Sequence, residues 1–296
     1  MRVFVTGATG FIGTEVVREL IAAGHQVLGL TRSDAGAEAL TAAGAQPHHG
    51  NIENLDSIRS GAAQSDAVIH LAFNHDFSKF VANCETDRKL IEAVGDTLAG
   101  SNRPFIVTSG TGMTSGTEPG QPSTETSLAI GSAAMPRAAS EEAADAAAAK
   151  GVRVSIIRLP QVHDTHRQGL ISYAIPIARE KGFSAYIGDG ANRWPAAHLL
   201  DVAHLYKLVL EKGETGARYH AVAEEGVPMR AVAESIGRGL KIPVKSITPE
   251  EAASYFGWLA HFAGRDLASS STITRQKLDW HPTGPSLLTD LEAMQY

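Results

Sequence analysis

Val3-Phe4-Val5-Thr6-Gly7-Ala8-Thr9-Gly10-Phe11-Ile12-Gly13 is the stretch that decides the fold. A short run of β-formers precedes three glycines spaced Gly-x-x-Gly-x-x-Gly, and an amphipathic helix follows. Gly7 permits a tight turn, Gly10 lets a ligand approach the backbone, and Gly13 lets the helix pack on the strand. Because a helix N-terminus offers free N–H groups and a positive dipole end, this stretch predicts a pyrophosphate site. The strand-to-helix context disfavours the alternative, a glycine turn without a ligand.

Composition limits the function classes. The 296-residue chain is 43% hydrophobic with a net charge of −6, enough for a large core in one domain or two unequal ones. Acidic and basic residues are interspersed, which argues against nucleic acid or an anionic membrane as partner. The one cysteine, Cys84, precludes an intramolecular disulfide and fits a reducing compartment. With no long apolar run and no pattern typical of a signal peptide, we expect a cytoplasmic protein.

The motif Thr-Gly-x-x-Gly-x-x-Gly at residues 6–13 resembles the short-chain dehydrogenase/reductase superfamily. Its variant TGATGFIG resembles the extended and atypical branches, often called NAD(P)-dependent epimerase/dehydratase proteins. The resemblance covers nearly the whole chain and implies an α/β fold: a doubly wound parallel sheet (Rossmann fold) with a smaller C-terminal substrate domain. Strand–helix alternation predicts the same sheet. We expect a dinucleotide-binding domain over 1–165, completed by about 196–223, and a substrate-binding domain over 166–195 and 224–296.

The second predicted strand, Gln26 to Leu30, bears on the choice of cofactor. In the family its end faces the adenosine ribose, where NAD-preferring proteins usually place a carboxylate. Here the chain continues with Thr31, Arg32 and Ser33. A guanidinium binds a 2′-phosphate in a fork, whereas a carboxylate repels it. We therefore predict NADP(H) over NAD(H), the alternative being that Arg32 is a solvated loop charge.

Further cofactor contacts follow from the resemblance, at the glycine turn and at strand ends. They are Gly7, Thr9, Gly10, Phe11, Ile12 and Gly13 in the turn, Arg32 and Ser33 after the second strand, Asn51 and Ile52 after the third, Leu71 and Ala72 after the fourth, Thr108 on the fifth, and Pro160 after the sixth. Asn51 departs from the usual Asp but keeps an acceptor and adds donors. His70, inside an apolar run, is expected to be a structural hydrogen-bonding residue.

The loop Phe73 to Phe77 follows the fourth strand. Ligands of open parallel sheets bind at this edge, so His75 and Asp76 are candidates for substrate contact, the alternative being an exposed pair without function. On the next predicted helix, Asn83 resembles the family's Asn that supports a catalytic water or a helix kink. Cys84 is expected to be a buried small residue.

The fifth strand, Pro104 to Thr108, continues into Ser109-Gly110-Thr111. In the family a hydroxyl at this strand end hydrogen-bonds the reacting oxygen, which makes Ser109 and Thr111 candidates. The Gly-, Ser- and Pro-rich segment that runs to about Ala134 is expected to be an active-site flap or a long surface loop.

The superfamily's acid is missing. It is a Tyr followed four residues later by a Lys, which helps to lower the Tyr pKa. No Tyr occurs between Ser109 and Arg158. Pro136 and the alanines that follow still predict a helix here. Arg137 or Ser140 is expected to occupy the vacant space, although an arginine cannot shuttle a proton.

Other protonatable residues are therefore candidate catalysts. The segment from Arg158 to Asp164 resembles the family's stretch beside the nicotinamide amide, where His163 takes the place of a common Tyr. Its ordinary pKa suits proton transfer. His163, Tyr173 and His75 are the candidate proton donors. The spacing His163-Asp164-x-His166 is weak evidence for a metal, and we predict none.

The C-terminal third supplies the remaining candidates. Trp194 and His198 are expected to line a substrate pocket, with inter-domain packing as the alternative for Trp194. Asp201 is predicted to cap the following helix. The aromatic residues between Tyr255 and Phe262 fall at helical spacing, which favours core or domain interface over a ligand wall.

Two classes of function remain. The first is an NADP(H)-dependent reductase of a small carbonyl or related acceptor, in which Ser109 or Thr111 holds the oxygen. The second is an NADP(H)-binding sensor or scaffold without turnover, which the missing Tyr and Lys would allow. A sugar epimerase- or dehydratase-like enzyme is a further alternative that also needs a base. A homodimer is compatible with the sequence, which identifies neither the substrate nor the oligomeric state.

Overall fold

The computed structural model describes residues 1–114, 118 and 120–296 of the chain. Twelve strands and twelve α-helices lie within this part. The strands are β1 Arg2–Thr6, β2 Gln26–Thr31, β3 Gln46–His49, β4 Ala67–His70, β5 Pro104–Gly110, β6 Arg153–Leu159, β7 Gln161–His163, β8 Ser184–Ile187, β9 Arg193–His198, β10 Arg218–His220, β11 Glu224–Pro228 and β12 Val244–Ile247. The helices are α1 Phe11–Ala22, α2 Asp34–Ala42, α3 Leu55–Ala63, α4 Phe80–Leu98, α5 Ala139–Ala149, α6 Ile171–Lys181, α7 Leu199–Lys212, α8 Met229–Leu240, α9 Pro249–Phe256, α10 Ala260–Ala263, α11 Thr272–Leu278 and α12 Leu287–Ala293. Short 3-10 turns occupy Phe77–Lys79, Thr111–Met113, Pro136–Ala138 and Gly257–Leu259.

Seven strands form one parallel sheet in the order β10-β6-β5-β4-β1-β2-β3. The order reverses between β1 and β4, which is where doubly wound sheets bind ligands. Thr6 on β1 pairs in register with His70 on β4, so these two strands end side by side. The predicted doubly wound α/β fold is confirmed.

Side chains that alternate along the strands pack in two apolar clusters, one on each face of the sheet. Val3 and Val5 of β1 pack in a cluster that also contains residues of α1 and α7. Phe4, between them in sequence, points to the opposite face and packs with residues of α3, α4 and α5. Burial on both faces explains why β1 is continuously apolar rather than alternating.

A third apolar cluster draws its residues from 171–196 and 227–291. It lies among helices α6, α8, α9 and α12 and two small sheets, β11-β9-β7 and β12-β8. Tyr255, Phe256 and Phe262 are buried here, in keeping with the predicted core role of this aromatic segment. Trp258 differs, because 41% of its surface remains exposed.

The starts of α9 and α7 are capped by side chains in different ways. Thr248 accepts from the backbone N–H of Glu251, and the Glu251 carboxylate accepts from that of Thr248, a capping box. The prediction of Asp201 as a cap is wrong, since α7 begins at Leu199 and the His198 side chain accepts from the helix start. Asp201 instead accepts from the backbone N–H groups of residues 283 and 284, at 2.9 and 2.8 Å, and so holds the C-terminal segment.

The predicted flap includes residues 115–117 and 119, which lie outside the described residues. On either side of them the segment is tied down: Thr114 pairs with Ala129, and Ser123 pairs with Ser269. Among the described residues, no helix combines the length and apolar content that crossing a bilayer requires.

Candidate active site

The turn between β1 and α1 forms a cradle from which side chains are excluded. Gly7 has φ +67°, and a Cβ there would lie 2.8 Å from the Ala72 nitrogen. A Cβ on Gly13 would lie 1.9 Å from the Gly7 carbonyl oxygen, and one on Gly10 would lie 3.1 Å from the same atom. Neither close contact at Gly7 or Gly13 could be accommodated by moving a flexible side chain, because the opposing atoms are backbone. Glycine is therefore required at both positions.

Helix α1 leaves its N-terminus free for a ligand. Its N-cap is Gly10, no side chain caps it, and its first turn contains no acidic residue. The first N–H groups and the positive end of the helix dipole therefore face the cleft without a competing anion from this turn. A diphosphate fits this cradle in charge and in hydrogen-bonding capacity.

A cleft of about 1290 Å³ runs from this cradle toward α6 and the C-terminus. Its lining contains most of the predicted cofactor-binding residues. These are Gly7, Thr9, Gly10, Phe11, Ile12, Gly13, Arg32, Asn51, Ile52, Leu71, Ala72 and Pro160. The cleft lies where the strand order reverses, so the site follows from the topology of the sheet.

Two predicted cofactor residues use their hydroxyls within the protein. The Ser33 hydroxyl caps α2 by accepting from the Gly36 N–H, and Ser33 does not line the cleft, so we correct this assignment. The Thr108 hydroxyl donates to the His70 carbonyl at 2.6 Å and pairs with the Tyr206 hydroxyl at 2.7 Å. Thr108 lines a smaller cavity next to the cleft, and its contact with a cofactor stays a prediction.

One end of the cleft, where the resemblance predicts the adenosine, is formed by the end of β2 and the loop after β3. Thr31 is buried, whereas Arg32 is exposed in the lining and forms no ion pair with any described residue. The side-chain oxygen of Asn51, Oδ1, accepts from the backbone N–H groups of residues 53 and 54, at 2.9 and 2.8 Å. Its acceptor therefore stabilises its own turn, which leaves its amide N–H₂ as the group available to a ligand.

Behind the opposite end of the cleft lies a buried polar network centred on Asp87 of α4. One carboxylate oxygen accepts from His70 Nε2 at 2.8 Å, and the other accepts from Arg137 at 3.0 Å and from the Ser140 hydroxyl. Burial alone would raise the pKa of Asp87, but Arg137 and then His70 hold it below its ordinary value. His70 is thus a structural hydrogen-bonding residue, as predicted.

The tautomer of His70 follows from its other partner. Thr6 Oγ1 accepts from the backbone N–H groups of Leu71 and Ala72, both at 3.2 Å, which occupies its two lone pairs. Its hydrogen must therefore be donated to His70 Nδ1, 2.7 Å away. In this arrangement His70 accepts at Nδ1 and donates at Nε2 to Asp87. The network thereby connects the glycine turn to α4.

The superfamily's Tyr and Lys would lie near the start of α5, where Arg137 stands in the preceding 3-10 turn and Glu141 in the first helical turn. Arg137 donates to Asp87 and to the Thr108 carbonyl at 3.0 Å, and its guanidinium lies 4.4 Å from the centroid of the Phe73 ring. Glu141, one turn on, forms a fully buried two-fold contact with Arg158, 2.8 Å for each oxygen. Burial would raise the pKa of Glu141, but Arg158 lowers it. Arg137 thus fills the vacant space, as predicted.

The loop after β4 is held in place by α4. The Asn83 amide donates to the carbonyls of Asn74 and Asp76, at 3.2 and 2.8 Å, on either side of His75. His75 itself is exposed and lines the cleft. Asn83 therefore positions the loop rather than facing a ligand, and the predicted location of His75 at the sheet edge agrees with the structure. Cys84 beside it is buried, and burial raises the pKa of its thiol to about 11.

Of the three candidate residues that carry a hydroxyl, two line the cleft and one does not. Thr111 and Tyr173 line the cleft, and the Thr111 hydroxyl donates to the Leu159 carbonyl at 3.3 Å, which leaves its lone pairs free to accept. Ser109 does not line the cleft. Its hydroxyl is buried near Glu141, makes no hydrogen bond of normal geometry with the described residues, and helps to lower the pKa of that carboxyl.

His163 does not lie where a proton donor is needed. It is fully buried, does not line the cleft, and its Nδ1 pairs with Asp290 of α12 at 2.7 Å. Burial lowers the pKa of His163, although Asp290 opposes this effect. The prediction of a catalytic His163 is therefore wrong, because β7 joins the small sheet and α12 covers its side chain.

Neither Trp194 nor His198 lines the cleft, so the prediction that they contact substrate is wrong. Trp194 is buried in the third apolar cluster, and its indole N–H donates to the Arg265 carbonyl at 3.2 Å. The alternative interpretation of Trp194 as a packing residue agrees with this position. His198 caps α7.

Several residues of the site were not found from the sequence. Arg167 lies 5.8 Å from the Phe11 ring centroid and lines the cleft, as do Arg179, Phe262 and residues 294–296. Trp258 stacks on Phe77 at 4.1 Å, which joins the loop after β4 to the segment after α9. The i, i+4 spacing of Arg137 and Glu141 was a usable signal for the buried charges, but no local pattern marks the C-terminal wall. In the described part of the chain, no three His, Cys, Asp or Glu side chains are arranged to hold a metal.

Known proteins provide an independent comparison. The family model described as "NAD dependent epimerase/dehydratase family" matches residues 3–223. An uncharacterised protein of Schizosaccharomyces pombe is 47% identical to the chain, over 100% of this chain and 100% of that protein. An uncharacterised protein of Saccharomyces cerevisiae is 42% identical, over 99% of this chain and 98% of that protein.

Solved structures agree in fold. The chain is similar to a double mutant of DesIV, a dTDP-glucose 4,6-dehydratase from Streptomyces venezuelae crystallised with NAD, with a TM-score of 0.78 and 21% identity. The match covers 100% of this chain and 96% of that one, and at this identity it concerns the fold alone. The family match extends over the glycine cradle, the parallel sheet and the part of the cleft lining that precedes residue 224. The chain therefore belongs to the NAD-dependent epimerase/dehydratase family, as an oxidoreductase-like member with a site suited to a nicotinamide cofactor.

Proposed function

We propose that the protein is an NADP(H)-dependent reductase of a small carbonyl compound. The observation that carries this proposal is one continuous cleft. It joins a phosphate cradle, an arginine at the adenosine end and a chamber beside the strand ends that is accessible to a second molecule. The bound nicotinamide would supply the hydride, and the chain would hold both reactants and deliver a proton.

The preference for NADP(H) rests on the end of β2. Arg32 lines the cleft without an ion pair to the described residues, and the neighbouring Thr31 offers no carboxylate to the ribose hydroxyls. A guanidinium free to form a two-fold contact is suited to a phosphate. Glu53 also lines this end of the cleft, but it follows β3 rather than β2. Its carboxylate therefore does not stand at the end of β2, where NAD-preferring proteins usually place one, and Arg32 is the charged residue there.

The far part of the cleft supports a small, partly apolar substrate. Its walls combine apolar side chains with a few polar groups, as is usual for small-molecule sites. The apolar members are Met113, Ile175, Pro176, Phe262, Leu267 and Met294, and the polar members are Thr111, Ser172, Tyr173, Arg167 and Arg179. Thr111 can stabilise charge on the reacting oxygen only by way of its hydrogen, which it now donates to Leu159, so a ligand would have to compete for that bond.

A second candidate function is an NADP(H)-binding sensor without turnover. The observation that favours it is Arg137, which stands where the superfamily's acid is expected and cannot release a proton. The epimerase- or dehydratase-like alternative needs a base at the same place and is disfavoured for the same reason.

A binding and turnover experiment separates these candidates. The purified protein would be titrated with NADPH and NADH by fluorescence and then screened against aldehydes, ketones and imines for NADPH consumption. Tighter binding of NADPH with consumption in the presence of a carbonyl compound supports the reductase. Binding without consumption by any acceptor supports the sensor, and failure to bind either dinucleotide overturns both.

A further inference from the structure

A second, smaller cavity of about 190 Å³ adjoins the cleft next to Arg137. Some residues line both spaces and so mark the place where they meet. These are Ile12, Leu71, Phe73, His75, Gly110 and Leu159. Among these described residues His75 has the only polar side chain. The boundary lies between the start of α1 and the ends of β4, β5 and β6, the strand-end region that the proposed function assigns to the reacting groups.

We propose that His75 protonates the reacting oxygen of the carbonyl substrate, in place of the missing tyrosine. This inference rests on the proposed reductase function. The carbonyl carbon would accept the hydride of NADPH, the electrons of the C=O double bond would move to oxygen, and the oxygen would take the imidazolium proton. His75 would then regain a proton from water, which leaves an alcohol and NADP⁺.

The loop holds His75 in a defined position. Asn83 donates to the carbonyls of Asn74 and Asp76 on both sides of it, and the Asp76 N–H donates to the Asn74 side chain at 3.0 Å. The imidazole contacts the Phe73 ring edge-on, at 5.4 Å between centroids. These contacts fix the backbone on both sides of His75 without using the imidazole, so the side chain is held at the boundary between the two spaces and is available to a ligand.

Charged groups around His75 set its proton affinity. Arg137 at the start of α5 and Arg167 in the loop after β7 face it, Asp76 is its neighbour in the loop, and Tyr173 of α6 packs against Phe77 nearby. The imidazole is open to the cleft, yet the walls around it remove part of its water, and this desolvation lowers the pKa of His75. The fields of Arg137 and, more weakly, Arg167 lower it further, against the Phe73 carbonyl.

The sign of the pH dependence follows. The proton donor is the imidazolium, so kcat should be highest below the pKa of His75 and fall as the pH rises through it. Replacing Arg137 removes a positive charge that opposes protonation, so the pKa should rise and the fall in kcat should move to higher pH. Arg167→Ala should act in the same direction with a smaller shift, and this exposed residue has no buried partner whose loss would unfold the protein.

The experiment uses the full chain with His75→Ala, Arg137→Met and Arg167→Ala, and His281→Ala as a control, since His281 is exposed and lines neither the cleft nor the smaller cavity. We expect His75→Ala to lower kcat at least ~100-fold and to leave NADPH affinity unchanged, with His281→Ala unaffected. NMR titration of the imidazoles without ligand should show the His75 pKa raised in both arginine variants.

Two outcomes would overturn the inference while the proposed reductase function stands: retained kcat in His75→Ala, or an unshifted His75 titration in both arginine variants. Absence of turnover in the wild type would overturn both.

Discussion

At the cradle end of the cleft the site is made of backbone atoms. The opposite end, called the reaction end below because the proposed reduction would take place there, is supported from behind by buried charged side chains. The cradle has no capping side chain and no acid in the first turn of α1, and its tightest distances involve Gly7 and Gly13. The reaction end rests on two buried carboxylates, Asp87 and Glu141, each paired with an arginine.

The difference determines how each end can fail. A backbone cradle is damaged by adding an atom, since the space for a Cβ is already occupied. A buried ion pair is damaged by removing a charge, since the partner is then left without compensation in a place that water does not reach. The backbone cradle should therefore tolerate changes of charge nearby. The buried ion pairs should tolerate changes of side-chain shape better than changes of charge.

The largest effect is expected for Glu141→Gln at the reaction end. It leaves the fully buried Arg158 with a neutral partner, and we expect a loss of about 3–5 kcal/mol in the free energy of unfolding. Denaturant unfolding measures it. The control is Glu142→Gln, the next residue, whose partly exposed pair with Arg88 should contribute about 0–1 kcal/mol. Equal effects of the two substitutions would show that burial does not distinguish these pairs.

The same carboxyl predicts a pH dependence of stability. The pKa of Glu141 is lowered in the folded protein, so its contribution is complete above its ordinary value of 4.5 and is lost as the pH falls below it. Asp87, whose pKa is also lowered, contributes in the same direction. We expect the free energy of unfolding to decrease less steeply on acidification in Glu141→Gln than in the wild type. Parallel curves from denaturant unfolding at several pH values would contradict this.

Gly13→Ala tests the cradle. The added Cβ would lie 1.9 Å from the Gly7 carbonyl, so we expect ~1–3 kcal/mol of destabilisation. NADPH binding should weaken by more than about tenfold, because each 1.4 kcal/mol lost at the ligand corresponds to that factor. Gly131→Ala is the matched control, since a Cβ there has no atom within 4 Å. Unchanged binding in Gly13→Ala would mean that the ligand does not use this turn.

Arg32→Ala separates the phosphate-binding role from the cradle. We expect NADPH affinity to fall by about 10- to 100-fold, the range for a lost charge-assisted contact, while NADH affinity stays the same. Fluorescence titration measures both. Arg59→Ala on α3, outside the cleft lining, should change neither. An equal loss for the two dinucleotides would assign Arg32 a general electrostatic effect rather than recognition of the extra phosphate.

The smallest effect concerns the contact between Phe77 and Trp258, which joins the two sides of the cleft. Their rings are stacked at 4.1 Å and 13°. A double-mutant cycle with Phe77→Ala and Trp258→Ala should give a coupling of about 0.5–1.5 kcal/mol in the free energy of unfolding. A coupling of zero would mean that the contact does not contribute to holding the two sides together.

The sequence was most informative where chemistry and neighbours along the chain coincide. The glycine spacing predicted the turn, the helix start and the cleft-lining residues around Phe11, because the atoms that exclude a Cβ belong mostly to the same turn. Arg32 and His75 were placed correctly at strand ends, since parallel strands end at one edge of the sheet. The role of Ser33 was not predicted correctly. Its hydroxyl could bind a ligand or cap α2, and in the structure it caps α2.

The reaction end could not be predicted to the same degree. Asp87 lies on α4 and Arg137 in the 3-10 turn before α5, far apart in sequence, and only the packing of α4 against this turn and α5 brings them together. His163 and His75 both follow strands and have the same intrinsic chemistry. The pairing of β7 with β9 and the docking of α12 bury the first, whereas a loop tied to α4 exposes the second.

The sequence by itself determined the alternating fold, the phosphate cradle and the absence of a tyrosine–lysine pair, because each is a property of residue type and local spacing. The tertiary structure alone decided which protonatable groups reach the cleft and which carboxylates are buried beside an arginine. Those properties depend on distances between segments that are remote in the chain, and on the water that their packing removes.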